Sequence, residues 1–174
     1  MSGTLRVTAV CSGNICRSPI GEVVLREAVE QAGLGHAVVV DSAGIGAWHV
    51  GEGADRRAVG VLARHGYDGS THRAQQITRD WFDDPETAPD LLLAMDTGHY
   101  DALRRLAPAG VDVRMMRSFD PQLAGLSRDE VDLDVEDPYY GDHDDFEDVL
   151  IVIEAALPGL HDWVDEQLAE NGRG

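Results

Sequence analysis

The chain has 174 residues, enough to bury a core without disulfide or metal staples, and its 43% apolar and 26% charged residues are proportions ordinary for a globular protein. A net charge of −18 argues against nucleic acid or an anionic membrane surface as partner. No run approaches the ~20 apolar residues of a membrane span, and no basic-then-apolar leader opens the chain, so one cytoplasmic domain over residues 1–174 is expected.

Thr4–Val10 is short, rich in β-branched residues and followed at once by Ser and Gly, which predicts a buried strand. Ser18 as N-cap, Pro19 at the first helical position and Gly33 as a stop predict a helix to about Ala32. His36–Ser42 is a second strand, and a helix near Ala54–His65 ends at Gly66. Thr78–Phe82 suggests a short helix, and Asp90–Met95 is a third buried strand. Thr97 is placed to cap a helix reaching about Leu106, and Val111–Met116 is a fourth strand. From Asp144 to about Glu170 the apolar positions keep helical phase through Pro158, predicting one long helix kinked there or two helices abutting. Alternating strands and helices imply a parallel sheet covered on both faces, with ligands bound beyond the carboxyl ends of its strands.

The segment CSGNICRS, Cys11–Ser18, falls at that edge. Gly13 and Asn14 tolerate left-handed backbone, so the loop can curl its N–H groups toward one point, and the following helix N-terminus adds its positive dipole. Arg17 offers a planar fork for two phosphate oxygens, while the absence of a Gly-Lys-Ser/Thr ending excludes a nucleotide-binding P-loop. Cys11 and Cys16 are the only cysteines: they cannot frame a disulfide scaffold, and no second pair completes a zinc site. Helix dipole and neighbouring cation together favour ionisation of a thiol, which makes Cys11 a nucleophile aimed at phosphorus, with Ser18 able to donate to its sulfur.

Transfer to sulfur also needs an acid for the leaving oxygen. Between Asp129 and Asp148 lie eleven acidic residues, most of them read as a solvated face. DPYYG, Asp137–Gly141, stands apart because Asp-Pro and Gly mark a turn that would hold a carboxyl group on a loop. Tyr139 and Tyr140 beside it would serve an aromatic substrate as a wall. A phenol leaving group, with a pKa of about 10, gains from being protonated as it departs.

These motifs resemble those of the low-molecular-weight protein tyrosine phosphatases nearly end to end: VCSGNICRSP matches the signature loop, DSAG (Asp41–Gly44) and WHVG (Trp48–Gly51) a second segment, and DPYYG the distal acid. The resemblance implies a three-layer α/β fold with a four-stranded parallel sheet flanked by helices and the phosphate loop after the first strand. It implies a monomer without cofactor or metal, acting on phosphotyrosine-containing proteins. Carried onto this chain, it makes Cys11 the nucleophile, Arg17 the phosphate clamp, Asp137 the general acid and base, and Ser18 the stabiliser of the thiolate. Ser12, Gly13, Asn14, Ile15 and Cys16 complete the loop, with Ser42 and His72 in a supporting network around Asn14. Trp48, Tyr139 and Tyr140 line the substrate cleft, and Cys16 protects Cys11 by a reversible disulfide. Ile15 favours the tyrosine-specific members over arginine-phosphate phosphatases of the same fold, which commonly carry Thr there. A thiol-based arsenate reductase would need further cysteines, and a non-catalytic phosphate-binding redox sensor would not need nucleophile, arginine and acid together.

Overall fold

Four parallel strands form one sheet in the order β2-β1-β3-β4: β1 (Leu5–Cys11), β2 (Val38–Gly44), β3 (Leu91–Ala94) and β4 (Asp112–Met115). The computed structural model describes residues 4–173. Successive side chains of a strand face opposite sides of its sheet, and the core divides accordingly. Leu91 and Leu93 pack with Val7 and Ala9 on one face, whereas Leu92 and Ala94 pack with Val10, Val113 and Met115 on the other.

The first face is covered by α1 (Arg17–Gln31), α2 (Arg56–Arg64), α4 (His143–Ala155) and α5 (Leu157–Arg173), the second by α3 (Thr97–Leu106), completing three layers. Phe146 of α4 is fully buried in the larger cluster, worth about 1.5–3 kcal/mol against leaving it in water.

Both helix starts that the sequence assigned to hydroxyl caps differ in detail. α1 begins at Arg17 with Cys16 as N-cap and no capping side chain, because the Ser18 hydroxyl turns toward Cys11 instead. Asp96, not Thr97, caps α3, its carboxylate accepting from the His99 N–H at 2.9 Å. At the C-terminus two helices abut, and the break falls at Ala156. Pro158 then sits in the first turn of α5, where its missing N–H removes no helical bond. Gly33 and Gly66 end α1 and α2 with φ of 75° and 86°, the left-handed conformation that favours glycine.

The acidic stretch is only partly a solvated face. Asp142 and Asp145 form a capping box at the start of α4, and Asp134 accepts from the Thr97 N–H at 2.8 Å and from its hydroxyl at 3.0 Å. Glu147 ties α4 to α2 through Arg64 and His65.

Candidate active site

Beyond the carboxyl end of β1, residues 11–16 curl into a cup whose carbonyls are pulled outward. Cys11 O accepts from Ile45 N at 2.9 Å, Ser12 O from Gly46 N at 3.0 Å, and Ile15 O from Asp55 N at 2.8 Å. Asn14 O accepts from His72 Nε2 at 2.7 Å, which fixes that ring nitrogen as a donor. No cis peptide occurs among the described residues, and across a trans peptide the N–H points opposite to the C=O. The amides that follow these carbonyls therefore face the interior of the cup, where they form an anion cradle at the start of α1. The end of β2 lies so close to the cup that a Cβ on Gly44 would sit 2.9 Å from Ser12 O. Glycine is what lets the DSAG segment support the loop.

Asn14 holds the curl. Its φ of 62° is left-handed, a conformation that costs most side chains about 1–2 kcal/mol. Four hydrogen bonds of about 1 kcal/mol each offset that. Besides its carbonyl bond to His72, Nδ2 donates to Ser18 Oγ at 2.8 Å and Ser42 Oγ at 2.9 Å, and Oδ1 accepts from Gln75 N at 2.9 Å. Ser42 Oγ in turn donates to Glu22 Oε1 at 2.6 Å, and Arg26 pairs with the same carboxylate. His72 Nδ1 lies 4.0 Å from Glu22 Oε1. Asn14, Ser18, Ser42 and His72 are all buried behind the cup.

At the floor, Cys11 Sγ lies 3.0 Å from Ser18 Oγ. Because Ser18 already accepts from Asn14, its hydroxyl proton is free to point at the sulfur; the competing acceptor, Ala43 O, is farther at 3.4 Å. Burial pushes the Cys16 thiol well above its ordinary range, with Asp55, Cys11 and Asp137 adding to the shift, so it stays protonated.

Arg17 is 3% exposed and reaches across the cup. Nη1 donates to Asp96 Oδ2 and to Val135 O, each at 2.9 Å, while Nη2 lies 3.5 Å from Asp137 Oδ2. Burial alone would raise the Asp96 carboxyl, but the His99 N–H, the His99 ring and Arg17 hold it below the usual carboxylate range. His99 continues the chain to Ser12 Oγ at 2.8 Å through Nε2. Its Nδ1 lies 3.2 Å from Asp96 Oδ1 without hydrogen-bond alignment. Burial pushes this imidazole down to about 4 against the pull of Asp96, so it is neutral at pH 7.

The cup opens into a cleft of about 390 Å³ that Asp137, Tyr139 and Tyr140 share from one side and Trp48 and His49 from the other. Ser12, Gly13, Ile15 and Cys16 form its floor with Cys11 and Arg17. The structure thus gathers every residue singled out from the sequence, either in the cleft or in the buried layer behind it. Asp96, His99, Glu22 and His49 were missed. Asp96 carried one local signal, an acid directly after a buried strand at the ligand-binding edge; His49 stood within the WHVG segment without a role of its own, and His99 and Glu22 carried no signal.

A buried thiol under inward-facing amides, with a guanidinium beside it and a carboxyl across the mouth, is the equipment of a thiol-dependent phosphomonoesterase. A family model described as low molecular weight phosphotyrosine protein phosphatase matches residues 6–172. Low molecular weight protein-tyrosine phosphatase A of Mycobacterium bovis is 55% identical over 172 residues, 99% of each chain. A crystal structure of a protein tyrosine phosphatase from Entamoeba histolytica superposes with a TM-score of 0.81 at 28% identity, covering 94% of this chain and 98% of that one. A Drosophila arginine phosphatase superposes with a TM-score of 0.76 at 27% identity, covering 92% and 98%. The chain belongs to the low molecular weight phosphotyrosine protein phosphatase family, and its four-stranded parallel sheet with flanking helices is the fold of these neighbours.

Proposed function

We propose that this chain hydrolyses phosphotyrosine in proteins through a cysteinyl-phosphate intermediate. The observation that carries the proposal is the Cys11 sulfur, 3.0 Å from Ser18 Oγ, at the floor of a cup of amides turned inward by their outward-bonded carbonyls. In the first step the thiolate attacks phosphorus, the bond to the phenolic oxygen breaks, and Asp137 gives that oxygen its proton. In the second step a water gives a proton to the Asp137 carboxylate and attacks phosphorus. The S–P bond breaks, phosphate leaves, and the thiolate returns. The amides and Arg17 stabilise the charge on the equatorial oxygens throughout.

Trp48 at 72% and Tyr140 at 94% exposure are large aromatics left in water at the mouth, which supports their use as walls for a substrate ring. Ile15 contributes an apolar edge on the cup floor. Ser42 and His72 act through Asn14. Cys16, protonated beside the nucleophile, is assigned the role of disulfide partner under oxidation. In this account residues 1–174 act as one domain, as a monomer in the cytoplasm, without nucleic acid or membrane as partner. No described helix is long and apolar enough to cross a membrane.

The test is kcat/KM measured side by side on phosphotyrosine, phosphoserine and phosphoarginine peptides. Burying an aromatic ring in the cleft is worth up to about 3 kcal/mol, so phosphotyrosine is expected to lead phosphoserine by about a hundredfold. Equal rates on those two would remove the aromatic walls from the account. A dominant rate on phosphoarginine would move the chain to the activity named for the Drosophila neighbour.

A further inference from the structure

A general acid works only if its carboxyl is held at hydrogen-bond reach of the leaving oxygen. The loop that carries Asp137 has little of its own to hold it. The Asp137 side chain is 49% exposed, Tyr139 is 40% exposed and Tyr140 is 94% exposed. Its internal bonds, Tyr139 N to Asp137 Oδ1 at 3.1 Å and Gly141 N to Pro138 O at 2.9 Å, shape the turn without fixing it over the cup.

Arg57, in the first turn of α2, reaches this loop from outside. Its Nη2 donates to Tyr139 O at 2.9 Å and its Nη1 to Gly141 O at 3.0 Å, gripping two carbonyls of the turn that follows the acid. Nε and Nη2 also form a fork on Asp55, at 3.0 Å to Oδ1 and 3.0 Å to Oδ2. The guanidinium lies 4.6 Å from the ring of the buried Phe146, which fixes the plane of the fork. All three nitrogens are therefore engaged. Asp55 in turn is tied to the cup, where its N–H donates to Ile15 O at 2.8 Å.

We propose that Asp55 and Arg57 are positioning residues for the general acid, a bridge that sets the Asp137 loop at a fixed height above the phosphate cup. The inference rests on the assignment of Asp137 made above. Neither bridge residue is among those that line the cleft, so they act through the loop and not on the substrate. Burial alone would raise the Asp55 carboxyl, but its hydrogen bonds to Arg57 and the charge of that guanidinium hold it below the usual carboxylate range, so the bridge stays ionised at neutral pH. Lysine could not replace Arg57, because one ammonium cannot reach two carbonyls and both carboxylate oxygens in a single plane.

The test compares kcat/KM on phenyl phosphate and on dinitrophenyl phosphate, whose leaving group needs no proton, for the whole enzyme carrying Arg57→Ala or Arg57→Lys. Each change is also placed beside Asp137→Asn. Loss of about 1 Å of positioning costs up to about a hundredfold, so Arg57→Ala should lower the phenyl phosphate value by roughly ten- to a hundredfold. The dinitrophenyl phosphate value and inhibition by inorganic phosphate should change less than about threefold, and beside Asp137→Asn the Arg57 change should add almost nothing. Arg57→Lys keeps the charge over Phe146 and guards against a merely unfolded Ala variant; it should show the same selective loss with a melting temperature near wild type. Equal slowing of both substrates, weakened phosphate inhibition, or full additivity with Asp137→Asn would overturn the bridge as a positioning device and leave it a structural contact. If Asp137→Asn itself shows no dependence on leaving group, the acid assignment fails and the bridge's role falls with it. If only the Arg57 variants lack that dependence, the bridge alone is wrong.

Discussion

Cys11→Ser is expected to lose hydrolysis of phosphotyrosine by about four orders of magnitude or more while inorganic phosphate still binds. The loss is chemical. A serine hydroxyl is almost wholly protonated at neutral pH and is a poor nucleophile without a base beside it, and among the described residues the hydrogen-bond partner of the side chain at position 11 is Ser18 Oγ. Binding should survive because the cup does not depend on the sulfur. Its carbonyls are held by Ile45, Gly46, Asp55 and His72, and Arg17 is held by Asp96 and Val135. Steady-state rates with an aryl phosphate, alongside titration of phosphate by calorimetry, check both halves. Near-normal turnover would show that another group attacks, whereas loss of phosphate binding would show that the sulfur shapes the cup.

Asp137→Asn should lower kcat/KM on phenyl phosphate by about 10²- to 10⁴-fold, the range for a positioned general acid, and lower it far less on dinitrophenyl phosphate. The parameter matters, because kcat/KM reports the steps up to departure of the phenol and leaves out the later attack of water. Asparagine keeps the size of the side chain and its acceptor for Tyr139 N, so the turn should persist. The change also removes the negative charge 3.5 Å from Arg17 Nη2, which should leave phosphate binding unchanged or tighter. Equal slowing on both substrates would assign the carboxylate to positioning or charge and not to proton transfer.

Much of the fold was legible because its signals are local. LRVTAV and DLLLAM are apolar runs too short for helices, and Gly33 and Gly66 stop α1 and α2 where left-handed backbone is needed. The cup was legible for the same reason, with nucleophile, glycine, asparagine and arginine within eight consecutive residues. What the sequence did not disclose is what holds these groups still. Asp96 pairs with Arg17 across 79 positions, and His99 meets Ser12 across 87. The position of Asp96 after a buried strand hints at a role, but nothing in either neighbourhood names the partner. Ser18 shows the opposite failure: it carried a strong local signal for a helix cap, and the demand of the neighbouring sulfur overrode it. Arg57 sat unremarked in the helix expected near Ala54–His65.

Phosphorus is expected to pass through the Cys11 sulfur. Rapid acid quench of the enzyme mixed with a phosphotyrosyl peptide, followed by mass spectrometry of the peptide containing Cys11, tests it most directly. Phosphate on Cys11 should appear within the first turnover and decay as free phosphate accumulates. Turnover with no phosphate on Cys11, or with label carried by another residue, would contradict the account.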